Sequence, residues 1–193
     1  MKYPTYVIID GERYDINTDF RVALKCQKVA EDETIYDEER ALAIIYLLFG
    51  DKGLNSNKRI ELLDKAKLFL SCGKELKLTN EKPDMDYEED WDYVEASFMS
   101  DFRIDLSNIQ MHWWKFNKYM NGLSNSEMGN CCVLNRIRNL RNYDLSKITD
   151  VKERQRIKKA QEEVALKKYK PKKKQMTEEQ RKNAIEFYKS LGI

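Results

Sequence analysis

Residues 101–116 read Asp-Phe-Arg-Ile-Asp-Leu-Ser-Asn-Ile-Gln-Met-His-Trp-Trp-Lys-Phe and hold two of the three tryptophans and the only histidine. The stretch contains a helix start: Ser107 is placed to cap, and Gln110 three residues later can return a bond to the Ser107 amide. Leu106, just before the cap, can staple the entry. The pattern predicts a helix from Ser107 to Met120, ended by Gly122. Ile109, Trp113, Phe116 and Met120 recur every three or four residues, so they are expected to form a buried structural hub. His112 and Trp114 fall off that stripe. With Lys115 and Lys118 they are the expected partner-binding edge.

Working toward the amino terminus, the acidic run Asp84, Asp86, Glu88, Glu89, Asp90 and Asp92 precedes a helix with Trp91, Val94 and Phe98 on one face. Acidic residues favour the positive end of a helix dipole, so the run reads as a solvated loop and helix start. Residues 74–83 read as a polar loop. Before them, a helix from about Asn57 to Ser71 has an apolar face of Ile60, Leu62, Leu63, Ala66, Phe69 and Leu70, with Gly73 as its cap. The nine apolar residues Ala41 to Phe49 cover every face of a helix starting near Asp37, the expected central core helix. A buried strand is the competing reading of so short a run. Gly50-Asp51-Lys52-Gly53 should end it, and Asp32-Glu33-Thr34 reads as the connection before it. A first helix beginning about Asp19, capped by Asn17 or Thr18, carries one stripe of Phe20, Ala23 and Leu24 and another of Val22, Cys26, Val29 and Ala30. Tyr6 to Ile9, Asp10-Gly11, then Arg13 to Ile16 is a hairpin pattern, because Asp-Gly suits a two-residue turn with positive φ. A lone hairpin is marginal and must lean on the helices or on another chain.

Toward the carboxyl terminus, Ser124 to Glu127 forms a second capping-box pattern, opening a helix with Met128, Cys131, Leu134 and Ile137 on one side. A basic tail begins near Tyr143. Asp150 to Glu153 can cap a long helix on which Ile157, Ala160 and Val164 make a narrow stripe, expected to be weakly anchored. Lys170-Pro171-Lys172-Lys173-Lys174 is a break. Thr177 to Gln180 starts a last short helix with Ala184, Ile185, Tyr188 and Leu191. The fold class expected is mainly α: a helical bundle with a small amino-terminal β-hairpin and a basic helical carboxy-terminal tail. The division expected is an acidic domain over residues 1–142 and the tail over 143–193.

Charge supports that division. From Arg136 onward Lys and Arg exceed Asp and Glu by ten, whereas the preceding part is net −8, so a formal charge of +2 hides an acidic body and a basic tail. No apolar run approaches the roughly 20 residues that cross a bilayer, and the amino terminus lacks the apolar segment of a secretory signal. Cys26, Cys72, Cys131 and Cys132 form no CxxC pair, which suits a reduced, cytoplasmic protein. A single histidine excludes a multi-histidine zinc site within one chain. Phosphate loops, dinucleotide fingerprints and hydrolase motifs are missing from the sequence. The expectation is a non-enzymatic protein with no catalytic residues, metal ligands or cofactor. A tail so basic would attract phosphate, and Tyr143, Tyr169 and Tyr188 could stack on bases, so nucleic acid is a partner to weigh. An acidic protein, including the body of another copy, suits the tail equally. The tail helix lacks the wide apolar face of a membrane-surface helix.

Several segments resemble one known family. They are Tyr14-Asp15-Ile16-Asn17-Thr18-Asp19-Phe20-Arg21; Phe69 to Gly73; Ala96-Ser97-Phe98 through Ile104-Asp105-Leu106; His112-Trp113-Trp114 with Phe116; and Gly122-Leu123. Over about residues 10 to 140 the chain is similar to the bacteriophage family named after gene product fifteen, encoded among the tail-morphogenesis genes of siphophages and of prophages in Gram-positive bacteria. The resemblance implies a tail assembly protein of the host cytoplasm, in particular a chaperone that coats the tape-measure protein before tail-tube subunits polymerise around it. Implied partners are the tape-measure protein, other tail proteins and further copies of the chain. A nucleic-acid-binding accessory protein and a structural tail component are the alternatives.

Overall fold

The computed structural model describes residues 3–74, 83–125 and 131–167. Strands β1 (Tyr6–Ile9) and β2 (Glu12–Asp15) pair antiparallel, with Ile9 opposite Glu12 across the turn. Asp10 and Gly11 both have positive φ, 48° and 82°, the backbone a tight two-residue hairpin turn requires. The hairpin does lean on helices. Tyr14 is buried, its hydroxyl 2.8 Å from the Ser56 hydroxyl, and the Asn17 amide donates to the Leu48 carbonyl at 2.8 Å.

Seven α-helices follow among the described residues: α1 (Phe20–Glu31), α2 (Asp37–Leu54), α3 (Arg59–Leu70), α4 (Trp91–Phe102), α5 (Trp113–Asn121), α6 (Val133–Asn142) and α7 (Val151–Val164). The mainly α class with an amino-terminal hairpin is therefore correct. Asp19, not Asn17 or Thr18, caps α1, accepting from the Arg21 amide. Ala41 to Phe49 is helical, but not sheathed all round: Ile45 and Leu48 are buried, whereas Tyr46 is 51 % exposed. Gly50, at φ 63°, kinks α2 where the chain was expected to stop, and one further turn follows. On α3, Leu62, Ala66 and Phe69 are buried, but Ile60 is 78 % exposed and does not join them. Ser71, not Gly73, is the C-cap of α3; Gly73 lies two residues on and its amide donates to the Leu68 carbonyl at 2.8 Å.

The core converges on Phe116. Phe20 lies against it with ring centroids 4.7 Å apart and 4° from parallel, Phe98 follows at 5.2 Å and Trp113 at 5.8 Å. These four side chains come from α1, α4 and α5, so one ring stack ties three helices together. α4 packs on its other side against α6, where the Ser97 hydroxyl donates to the Tyr93 carbonyl and accepts the Leu134 amide.

The quoted stretch folds differently from its pattern. The expected helix from Ser107 begins only at Trp113. Asp105 takes the turn instead, accepting from the Ser107 amide and hydroxyl and from the Asn108 side chain. The chain then runs extended into a bridge between Asp19 and His112, with the Phe20 amide donating to the Met111 carbonyl at 2.9 Å and the Trp113 amide to the Thr18 carbonyl at 2.7 Å. These bonds draw residues 111–113 into pairing beside α1, which a helix over the same residues would forbid. Likewise α6 starts at Val133, with Cys132 at its cap, so Cys131 lies outside the helix. Glu127 of the anticipated capping box and Met128 of the anticipated apolar side lie outside the described residues.

α7 has the expected start, the Asp150 carboxylate accepting from the Glu153 amide at 2.7 Å. Its anchoring is firmer than a narrow stripe suggests. Gln161 donates to the Leu140 and Tyr143 carbonyls, Arg141 donates to the Val164 carbonyl at 2.7 Å, and Leu166 is buried. The last short helix and the Lys-rich break before it lie outside the described residues. Among the described residues no helix is long and apolar enough to cross a membrane.

Candidate functional site

The residues expected at a partner-binding edge turn out to be divided. His112 caps α5: its Nδ1 accepts the Trp114 amide at 3.0 Å, and its Nε2–H donates to the Pro4 carbonyl at 2.9 Å. The ring is sandwiched at 4.9 Å against Tyr3 and meets Phe69 edge-on. Both nitrogens are therefore committed to backbone, which leaves none to activate a nucleophile. Trp114 is half-buried, donates its indole N–H to the Phe69 carbonyl at 2.8 Å, and lies over Gly73, where an added Cβ would sit 3.2 Å from the ring. So His112 and Trp114 are braces between α5, α3 and the amino-terminal segment and not a free edge. Lys115 and Lys118 are exposed, and their ammonium groups lie over Tyr119 and Tyr3.

Of the expected hub, Trp113 and Phe116 are buried, and the Trp113 indole donates to the Leu70 carbonyl at 2.9 Å. Ile109 and Met120 are only half-buried. Ile109 belongs to the extended approach and not to α5. Its carbonyl accepts from Arg21, which also donates to the Leu106 carbonyl at 2.5 Å and pairs with Asp19. Arg21 thus clamps the loop that the sequence pattern assigned to a helix.

The acidic run is not a uniformly solvated loop. Asp86 and Asp90 are buried. Arg141 of α6 grips Asp90 with two bonds of 2.7 Å and also donates to the Asp84 carbonyl at 2.9 Å. The Asp90 carboxylate beside it raises the Arg141 pKa above the ordinary guanidinium value. For Asp90 the bidentate guanidinium replaces its water, and Asp86 instead accepts from the Glu88 and Glu89 amides.

Beside this turn lies a concavity of about 620 Å³ between α1 and the start of α4. Leu24, Tyr87, Trp91 and Leu106 contribute apolar surface to its lining, and Lys25 and Lys28 of α1 line it together with Glu88 and Glu95. Lys28 and Glu88, both exposed and both in the lining, form an ion pair. Burial pushes the Tyr87 hydroxyl up to about 12 and the Cys26 thiol also to about 12, so both stay protonated at neutral pH. Among the described residues no group of His, Cys, Asp and Glu comes together as metal ligands. A concavity lined by both apolar and charged side chains is of the kind that takes the apolar face of an amphipathic helix. Sequence reasoning assigned Leu24 and Trp91 to apolar stripes and missed that both line one concavity. The Lys28–Glu88 pair joins the two sides, but seeing it needs the fold to bring α1 beside the turn before α4.

A family model described as Bacteriophage Gp15 protein matches residues 2–166. No curated protein and no solved structure matches the chain.

Proposed function

The chain belongs to the bacteriophage Gp15 family, and from that membership we propose that it is a non-catalytic tail assembly chaperone that binds the tape-measure protein in the host cytoplasm. The observation carrying this reading is the groove between α1 and α4 that Leu24 and Trp91 line together with Lys25, Lys28, Glu88 and Glu95. A long helical client exposes apolar stripes that aggregate unguarded, and a groove of this form covers one by helix-in-groove packing. Several copies along one client gain avidity without tight single contacts. The acidic turn and the exposed basic face of α7 give neighbouring copies opposite charges to align by.

Co-expression with the phage tape-measure protein, followed by pull-down, tests the reading. A complex is expected, weakened by Leu24→Glu, together with absence of the protein from purified virions. Failure of capture would remove the chaperone role, and presence in virions would favour a structural tail component. A second reading rests on Lys152, Arg156, Lys158 and Lys159, all exposed on α7. Salt-sensitive retention on DNA or RNA without any tail partner would favour nucleic-acid binding instead.

A further inference from the structure

We propose that the outer edge of β1 is a dimerisation edge, where a second copy of this chain adds its own β1 antiparallel and completes a four-stranded sheet. The hairpin ladder shows which groups are open. The Ile16 amide donates to the Thr5 carbonyl at 2.8 Å, so Thr5 faces Ile16 as a hydrogen-bonded pair, and Val7–Tyr14 and Ile9–Glu12 follow in the same phase. Tyr6 and Ile8 lie between these pairs, so their amides and carbonyls point away from β2. Among the described residues no hydrogen bond reaches them. The far edge of the hairpin differs: the Arg13 carbonyl accepts from the Lys52 ammonium at 2.7 Å, beside α2. β1 also lacks the usual guards of a free edge. Its residues Tyr-Val-Ile-Ile carry no charge and no proline, and Tyr6 and Ile8 are 44 % and 57 % exposed.

One register uses all the open groups. With Val7 of the two copies on a two-fold axis, Tyr6 of each copy faces Ile8 of the other, and both pairs exchange both bonds. Moving the axis to Tyr6 would call on Pro4, which has no amide and whose carbonyl already accepts from His112. Moving it to Ile8 would call on Asp10, which is held at φ 48° in the turn. The Val7 register also makes two aromatic–β-branched cross-strand pairs from exposed side chains. It brings the exposed Asp10 and Glu12 of each turn toward Tyr3 of the other copy, where Lys118 lies over the ring, so opposite charges meet at both ends. A second copy suits this edge better than a free extended peptide. Ordering a loose peptide costs about as much per residue as one backbone bond returns, whereas β1 of a second copy is already a strand. Neither the groove nor a client is involved, so this edge and the chaperone reading can fail separately.

The test is sedimentation velocity of the full chain from micromolar to near-millimolar concentration. A reversible equilibrium between monomer and dimer is expected. Ile8→Lys puts a charge into both cross-strand pairs and should weaken the dimer about tenfold or more, with the circular dichroism of the unaltered chain retained. A chain that stays monomeric throughout, or a dimer that Ile8→Lys leaves intact, would overturn the proposal. A second measurement needs no variant and decides the matter if Ile8→Lys does not fold. Hydrogen exchange of the Tyr6 and Ile8 amides should slow several-fold with rising concentration, relative to the Val7 amide already bonded within the hairpin. Exchange at Tyr6 and Ile8 that ignores concentration would overturn it as well.

Discussion

Arg141 and Asp90 sit 51 residues apart in sequence and face each other through paired 2.7 Å bonds, with their side chains 10 % and 1 % exposed. The pair joins the acidic turn to α6, and Arg141 continues from it to the last carbonyl of α7. Removing one partner strands a buried charge. Asp90→Ala is expected to cost about 3–5 kcal/mol in urea denaturation. The double variant Asp90→Leu/Arg141→Met should recover most of that, because two apolar groups need no desolvation to be repaid. Equal losses in single and double variants would contradict this account.

The two adjacent tryptophans should differ in degree. Trp113→Ala empties the ring stack around Phe116 and should cost about 3–5 kcal/mol. Trp114 is half-buried but holds the Phe69 carbonyl. Trp114→Phe keeps a ring over Gly73 and loses that bond, so a cost of about 1 kcal/mol is expected. Thermal or urea unfolding of both variants checks the ranking.

Arg103 ends α4 with φ 58° and ψ 32°, a left-handed conformation that costs a side-chain-bearing residue about 1–2 kcal/mol. Its amide already satisfies the Met99 carbonyl. Arg103→Gly removes the strain and adds some unfolded-state entropy. A net gain of about 0.5–1 kcal/mol is expected from the unfolding midpoint, since these opposing terms differ by that much. A loss of stability would show that the exposed Arg103 side chain holds something the backbone geometry does not reveal.

Alkaline pH should loosen the fold. Burial raises the folded Cys26 thiol to about 12 from an ordinary value of 9.0. Below pH 9 the thiol is neutral in both states and its contribution is fully present. As pH rises toward 12, only the unfolded state ionises, so stability falls. Tyr87, raised by burial from 10.0 to about 12, acts in the same direction. The urea midpoint should drop across pH 9–12, and Cys26→Ala should flatten part of that drop. Native-state alkylation should spare Cys26 and label the less buried Cys131 first.

How much of this was legible in the residues depended on whether the deciding interaction was local. The Asp10-Gly11 turn and the Asp150 cap are set within a few residues, and the sequence pattern identifies both. Trp113 and Phe116 were readable as core from spacing alone. The helix start at Ser107 was not, because Arg21 and Thr18, about 90 residues earlier, compete for the backbone of 106–113 and win by the number of bonds they make. The same limit hid Asp90, which looks like a solvated helix-start acid until α6 brings Arg141 beside it. It also hid the groove, which exists only where α1 meets α4. His112 was read as part of a helix, whereas it is the cap of α5, where position relative to a helix face carries no meaning.

The indole bonds from Trp113 and Trp114 to the Leu70 and Phe69 carbonyls also set a clock on synthesis. The end of α3 leaves the ribosome some 44 residues before the groups that satisfy it, a wait of roughly 2–9 s at ordinary translation rates. During that interval the hairpin and the first three helices have no Phe116 to close around. The amino-terminal half is then a nascent chain with an open apolar side, and its final packing is fixed by Trp113, Trp114 and Phe116, made well after it.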